Sequence, residues 1–133
     1  MSEVIQLDIV TPEKKFFSDA TVSLVTVPGI EGDMGILNNH IPIITFLRPG
    51  TIQVQTQNKE YSFFISDGVL EFSNNVLTIL ASEIYDLAKI DSATLDYLKN
   101  KAKEKVSRDN LSDNDIFLAN KFEEEVSSLS LAK

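Results

Sequence analysis

The sequence predicts a β + α architecture. An antiparallel β-sandwich or flattened barrel is expected over residues 1–88, and an antiparallel helical hairpin over residues 89–133. Three observations carry this prediction. Apolar residues alternate with period two through most of the first part, the mark of half-buried strands. Residues 27–50 hold four of the chain's five glycines and three of its four prolines, which indicates shaped loops between strands. After Ala88 the apolar spacing switches to the helical period.

Along the chain, Ile5, Leu7 and Ile9 share one face of a strand, with Gln6 and Asp8 on the other. Ile52 and Val54 alternate with Thr51, Gln53 and Gln55. Tyr61, Phe63 and Ile65 alternate less cleanly with Ser62, Phe64 and Ser66, and residues 76–81 form another β-branched, apolar run. Gln57-Asn58-Lys59 and Ser73-Asn74-Asn75 supply hairpin-turn chemistry, and Asp67-Gly68 suits a tight turn. No helical pattern of about 10–15 residues separates the strands, which argues against a parallel α/β sheet.

Asp91 or Ser92 is placed to cap a first helix. Leu95, Leu98, Ala102 and Val106 make its apolar stripe, while Lys99, Lys101, Lys103, Lys105 and Arg108 cover much of the rest. Residues 110–114 are polar and loop-like, with Ser112 as a second cap. Ile116, Ala119, Phe122, Val126 and Leu129 form a second stripe. The stripes are thin. Ordering backbone costs about 1–2 kcal/mol per residue, so the hairpin is expected to need docking, onto the β part or onto another protein.

The chain has 133 residues, no cysteine and a formal net charge of -8. Disulfides and thiolate chemistry are therefore excluded, and phosphate backbones repel the chain, so no nucleic-acid partner is expected. No signal-peptide pattern is seen, and the apolar run at residues 41–47 is far shorter than the ~20 residues of a membrane helix. Direct membrane insertion is not expected. The charge is uneven: residues 1–88 carry eleven acidic against four basic side chains, and residues 89–133 nine against eight.

Catalytic, metal and cofactor motifs are missing. Gly29, Gly32 and Gly35 are spaced G-x-x-G-x-x-G, which is neither a dinucleotide fingerprint nor a Walker A loop. Glu31 and Asp33 inside that loop oppose phosphate. His40 is the only histidine, so no two-histidine metal site exists within one chain. Neither a Gly-x-Ser-x-Gly elbow nor a Ser-x-x-Lys motif occurs.

An ordered series of short motifs resembles the epsilon subunit of bacterial F-type ATP synthases. It comprises Ile9-Val10-Thr11-Pro12-Glu13, Val27-Pro28-Gly29, Gly32-Asp33-Met34-Gly35-Ile36-Leu37, His40-Ile41-Pro42, Leu47-Arg48-Pro49-Gly50-Thr51-Ile52 and Gly68-Val69-Leu70-Glu71-Phe72. The resemblance implies a flattened sandwich of about ten strands (residues 1–88) that binds the gamma subunit and the c-ring. It further implies a regulatory two-helix domain (residues 89–133). The implied function is non-enzymatic: a rotor component coupling ion flow through the c-ring to ATP synthesis, peripheral at the cytoplasmic face of the cell membrane. The hairpin is implied to fold onto the sandwich or to extend into the alpha/beta catalytic head and restrain hydrolysis.

By family position, Glu31, Asp33, Met34 and His40 are expected on the c-ring side. Lys99, Lys101, Lys103, Lys105 and Arg108 are the candidate contacts to the head, because residues 110–133 carry two basic against five acidic side chains. Some family members bind ATP through Ile-Asp-x-x-Arg-Ala at the first helix start. Here only Ile90 and Asp91 of that motif remain, and Arg108 is the only arginine of the C-terminal part. No bound nucleotide is expected, since a triphosphate needs several cationic donors. The alternative weighed against the rotor reading is a stand-alone β-sandwich ligand-binding module.

Overall fold

A computed structural model describes residues 4–108 and 111–129. The expected loop residue Asn110 lies outside the described residues. The strands are β1 (Ile5–Val10), β2 (Lys15–Gly29), β3 (Gly32–Ile36), β4 (Ile43–Leu47), β5 (Gly50–Thr56), β6 (Glu60–Ile65), β7 (Gly68–Ser73), β8 (Val76–Ala81) and β9 (Ile84–Asp86). Two helices follow, α1 (Ser92–Ser107) and α2 (Asp113–Ser127).

The described residues thus form a sandwich of nine strands, where about ten were expected, followed by the hairpin. Strand order is β1-β8-β7-β4-β2-β5-β6-β9, with β3 attached to β2. The 15-residue β2 joins the layers: its first part pairs with β1 and its second with β5 and β3. A register shift between Val22 and Leu24 gives β2 the local bend this requires.

One pair departs from the all-antiparallel expectation. β1 and β8 run parallel, from Gln6 beside Val76 to Val10 beside Leu80. The six strands between them in sequence form a long crossover, and a connection of that length frees the pair from the antiparallel constraint of a tight hairpin.

Alternation sets the core. Ile5, Leu7, Ile9, Ile52, Val54, Phe63 and Ile65 all point between the layers with Val25, Val27, Leu70, Phe72, Leu77 and Ile79. Phe64 breaks the pattern. It points outward yet is fully buried, because the hairpin covers it.

Each helix starts where a side chain satisfies otherwise unpaired N–H groups. The Asp91 carboxylate accepts from the Thr94 amide at 2.8 Å, which holds its pKa below the ordinary value. Ser112 and Asp115 form a reciprocal capping box at the start of α2. Leu95, Leu98, Ala102, Phe122 and Val126 pack with Phe64 and Ile90 beneath the hairpin, flanked by Tyr85, Leu87 and Leu129. Val106 and Ile116, both expected in the stripes, are exposed instead. The tip of the hairpin stands off the sandwich across a cavity of about 210 Å³ lined by Pro49, Ser66, Lys105 and Leu118. Apolar side chains near the tip therefore lack a cover.

Candidate interaction surfaces

The outward face of β1, β8, β7 and β4 carries a feature that sequence reading missed. Val10 pairs with Leu80, Leu80 with Val69, and Val69 with Phe46. These four apolar side chains make one transverse row on the outer surface. Phe46 is 67% exposed and Leu80 51%. Ile30, Pro12, Asn114 and Leu118 continue the row into a groove of about 870 Å³ between the sheet and the start of α2. A sheet face turned to water is normally polar, and a continuous apolar stretch on one marks an interaction site. The legible signal lay in residues 43–47 and 76–81, whose runs are apolar on both faces of the strand.

A second surface is the edge of β3, which among the described residues pairs only with β2. The β2–β3 turn consists of Ile30 and Glu31, with Gly29 opposite Gly32. Gly32 has φ +140, and a Cβ on Gly29 would lie 2.7 Å from the Gly32 carbonyl oxygen, so glycine is required at both. Glu31 is exposed at this turn. Asp33 follows it and accepts from Arg48 Nη2 at 2.6 Å. Met34 is half-buried against the sandwich core, so its side chain contributes packing there.

His40 lies beyond the other end of β3. Its Nδ1 donates to the Ile41 carbonyl at 2.7 Å. The ring meets Phe72 edge-on, with centroids 5.8 Å apart. The loop is pinned by Asn39, whose amide donates to Asn75 Oδ1 at 2.6 Å. Asn39 and Asn75 both adopt positive φ, the conformation asparagine tolerates best after glycine. The fold therefore places Glu31 and Asp33 at one end of the five-residue β3 and His40 in the turn beyond its other end. They do not converge on one point.

The hairpin cations divide into two sets. Lys99, Lys103 and Arg108 are exposed. Lys101 is engaged: its ammonium pairs with Glu83, which also accepts from the Tyr85 hydroxyl at 2.6 Å. The Glu83 bond raises the Lys101 pKa against a smaller burial effect. Burial pushes the Glu83 carboxyl up, but the bonds from Lys101 and Tyr85 together outweigh it and hold it below the ordinary value. Burial and the Glu83 carboxylate raise Tyr85. Lys105 sits 5.1 Å from the centroid of the Phe122 ring.

The nucleotide-motif remnants are dispersed. Ile90 is buried under the hairpin and Asp91 is spent as the α1 cap, while Arg108 follows the far end of that helix. A helix of 16 residues separates Asp91 from Arg108, a span of roughly 25 Å. No group of three or more metal-ligating side chains occurs among the described residues, nor does a helix long and apolar enough to cross a membrane.

Residues 4–86 match the family model for the ATP synthase delta/epsilon chain, beta-sandwich domain. The ATP synthase epsilon chain of Pelagibacter ubique is 40% identical over 118 residues, covering 89% of this chain and 91% of that one. The epsilon chain of Maricaulis maris is 42% identical over 95 residues, or 71% of each chain. Among solved structures, a chain of the Euglena gracilis mitochondrial ATP synthase (OSCP/F1/c-ring) superposes with a TM-score of 0.72 at 22% identity, covering 97% of this chain and 80% of that one. A chain of the Tetrahymena thermophila central stalk/c-ring assembly gives 0.58 at 16% identity, covering 92% and 98%.

Proposed function

The chain belongs to the epsilon-chain family of ATP synthases, and from that premise we propose that it is a non-catalytic rotor subunit with two docking surfaces and a movable brake. The apolar row Val10-Leu80-Val69-Phe46 carries this reading. An outward face built in that way needs a partner, and the gamma subunit is the partner assigned to it. The β3 edge, from Glu31 and Asp33 to His40, is assigned to the c-ring. A rim of that length suits a contact spread along a ring better than a point contact. Met34 supports the edge from beneath.

Coupling follows from rigidity. A sandwich held by gamma on one face and by the ring along one edge passes torque between them without chemistry of its own. The subunit then sits peripherally at the cytoplasmic face of the cell membrane, attached through the ring.

The hairpin is the proposed brake on ATP hydrolysis. In the docked position Glu83 and Phe122 engage Lys101 and Lys105. Extension would free Lys101 from Glu83 to join Lys99, Lys103 and Arg108 against an acidic surface of the alpha/beta head, with Lys105 freed as well where the two helices part. Docking is therefore the non-inhibitory position. The dispersal of Ile90, Asp91 and Arg108 supports a brake that works without bound ATP.

Reconstitution tests the reading. The chain is expected to co-purify with a gamma subunit, and deletion of all residues after Ala88 is expected to raise hydrolysis by the head complex while leaving gamma binding intact. Loss of gamma binding on that deletion would sink the assignment of the apolar row. Unchanged hydrolysis would sink the brake.

A further inference from the structure

Among the described residues, Arg48 is the one side chain that ties the β3 edge to the hairpin through charge. Its Nη2 donates to Asp33 at 2.6 Å, and its Nη1 reaches Glu125 of α2 at 3.4 Å and the Pro49 carbonyl at 3.2 Å. The Arg48 side chain is only 13% exposed, whereas Asp33 is 68% exposed. The guanidinium reaches this position by lying across Gly50, where a Cβ would stand 3.0 Å from Nη1. One nearly buried cation is thus shared by two carboxylates, one on each unit of the chain.

We propose that Asp33 is a control point for the hairpin, acting through Arg48. When the hairpin lifts, Glu125 departs, and Asp33 remains as the counter-ion that keeps Arg48 paired. If a basic group of a partner captures Asp33, that reserve is lost. Lifting the hairpin then leaves Arg48 without a carboxylate, where with a free Asp33 it would keep one charge-assisted bond. A cationic contact at Asp33 therefore locks the hairpin down. The identity of that contact as a basic residue on the c-ring side rests on the reading of the β3 edge above. The lock within the chain does not.

Hydrogen exchange of the α1 and α2 amides in the isolated full-length chain reads hairpin opening, with sandwich amides as the internal reference. Glu125→Gln is expected to raise hairpin exchange about threefold, and Asp33→Asn to lower it by a similar factor. In the Asp33→Asn background, Glu125→Gln is expected to act more strongly, by about tenfold. Both single effects are expected to collapse when Arg48→Gln is added. Additive effects, or coupling that survives without Arg48, would overturn the proposal. Should the doubly neutralised chain not fold, the comparison of Asp33→Asn with Asp33→Asn/Arg48→Gln decides alone, because slower exchange must require Arg48.

Assembly with the ring supplies a separate arm. Assembly is expected to slow hairpin exchange in the wild type and to leave it unchanged in Asp33→Asn. Equal slowing in both would overturn the ring-side assignment of Asp33 and leave the lock within the chain standing.

Discussion

Phe64 of β6 meets Phe122 of α2 edge to face, with ring centroids 5.8 Å apart and planes inclined at 64°. Among the described residues the buried apolar side chains form two separate clusters, and this pair lies in the one that joins hairpin to sandwich. Deleting an aromatic ring from a packed site costs about 3–5 kcal/mol. Phe122→Ala is therefore expected to release the hairpin and leave the sandwich folded. Exchange protection should fall in α1 and α2 only. A uniform loss of protection across both units would contradict two independent clusters.

Hairpin docking is expected to depend on pH at both extremes, through Glu83 and Lys101. The Glu83 carboxyl is held below its ordinary 4.5 when docked. Its contribution is complete above that value and is lost as the pH falls through the docked-state pKa. The Lys101 ammonium is held above its ordinary 10.5. Its contribution is complete below that value and disappears as the pH rises through the docked-state pKa. Docking is thus strongest between about pH 5 and 10. Glu83→Gln should flatten the acid limb, as read by hairpin exchange or by the release of a fluorophore pair.

Gly50 admits no side chain. A Cβ there would sit 2.6 Å from the Pro28 Cβ and 3.0 Å from Arg48 Nη1. Gly50→Ala is expected to cost about 1–3 kcal/mol as an overpacking substitution and to displace Arg48. Thermal unfolding measures the first effect. The second appears as faster hairpin exchange than Gly68→Ala produces, where the added Cβ meets the Leu80 carbonyl oxygen at 2.8 Å, away from Arg48.

Phe46→Asp places a charge in the exposed apolar row. Because Phe46 is largely solvated, stability should change by no more than about 0.5 kcal/mol. Binding to gamma should fall at least about tenfold, since an unpaired charge at an interface core is costly. Normal binding with normal stability would remove the row from the gamma interface.

Titration with ATP is expected to give no saturable heat in the sub-millimolar range. An adenine-specific signal would show that the chain gathers cations for the phosphates from positions other than Asp91 and Arg108.

Period and punctuation made most of the fold legible. The alternation of Ile5, Leu7 and Ile9 set which side faces the core, since a one-residue slip would turn all three to water. Asp91 and Ser112 marked both helix starts, because capping is a local hydrogen bond. The interaction surfaces were less legible. Glu31 and His40 were visible as loop residues, but Asp33 and Met34, which read as loop residues in sequence, both lie in β3, and Met34 packs against the core. The apolar row was hidden because its four members come from β1, β4 and the β7–β8 hairpin, which lie far apart in sequence, and only the pairing register lines them up.

Residues 27–50, read as loops, instead hold the end of β2 and all of β3 and β4; the sequence alone determined strands β1, β5, β6 and β8, the turns, the two helices and the cysteine-free, acidic character of the chain. All of these depend on neighbours a few residues away. Tertiary structure decided the parallel pairing of β1 with β8, the alignment of Val10 with Phe46, the burial of Phe64 under α2, and the sharing of Arg48 between Asp33 and Glu125. Those relationships join residues tens of positions apart. No local propensity encodes them, because they arise only when the layers close and the remaining apolar surface finds its cover.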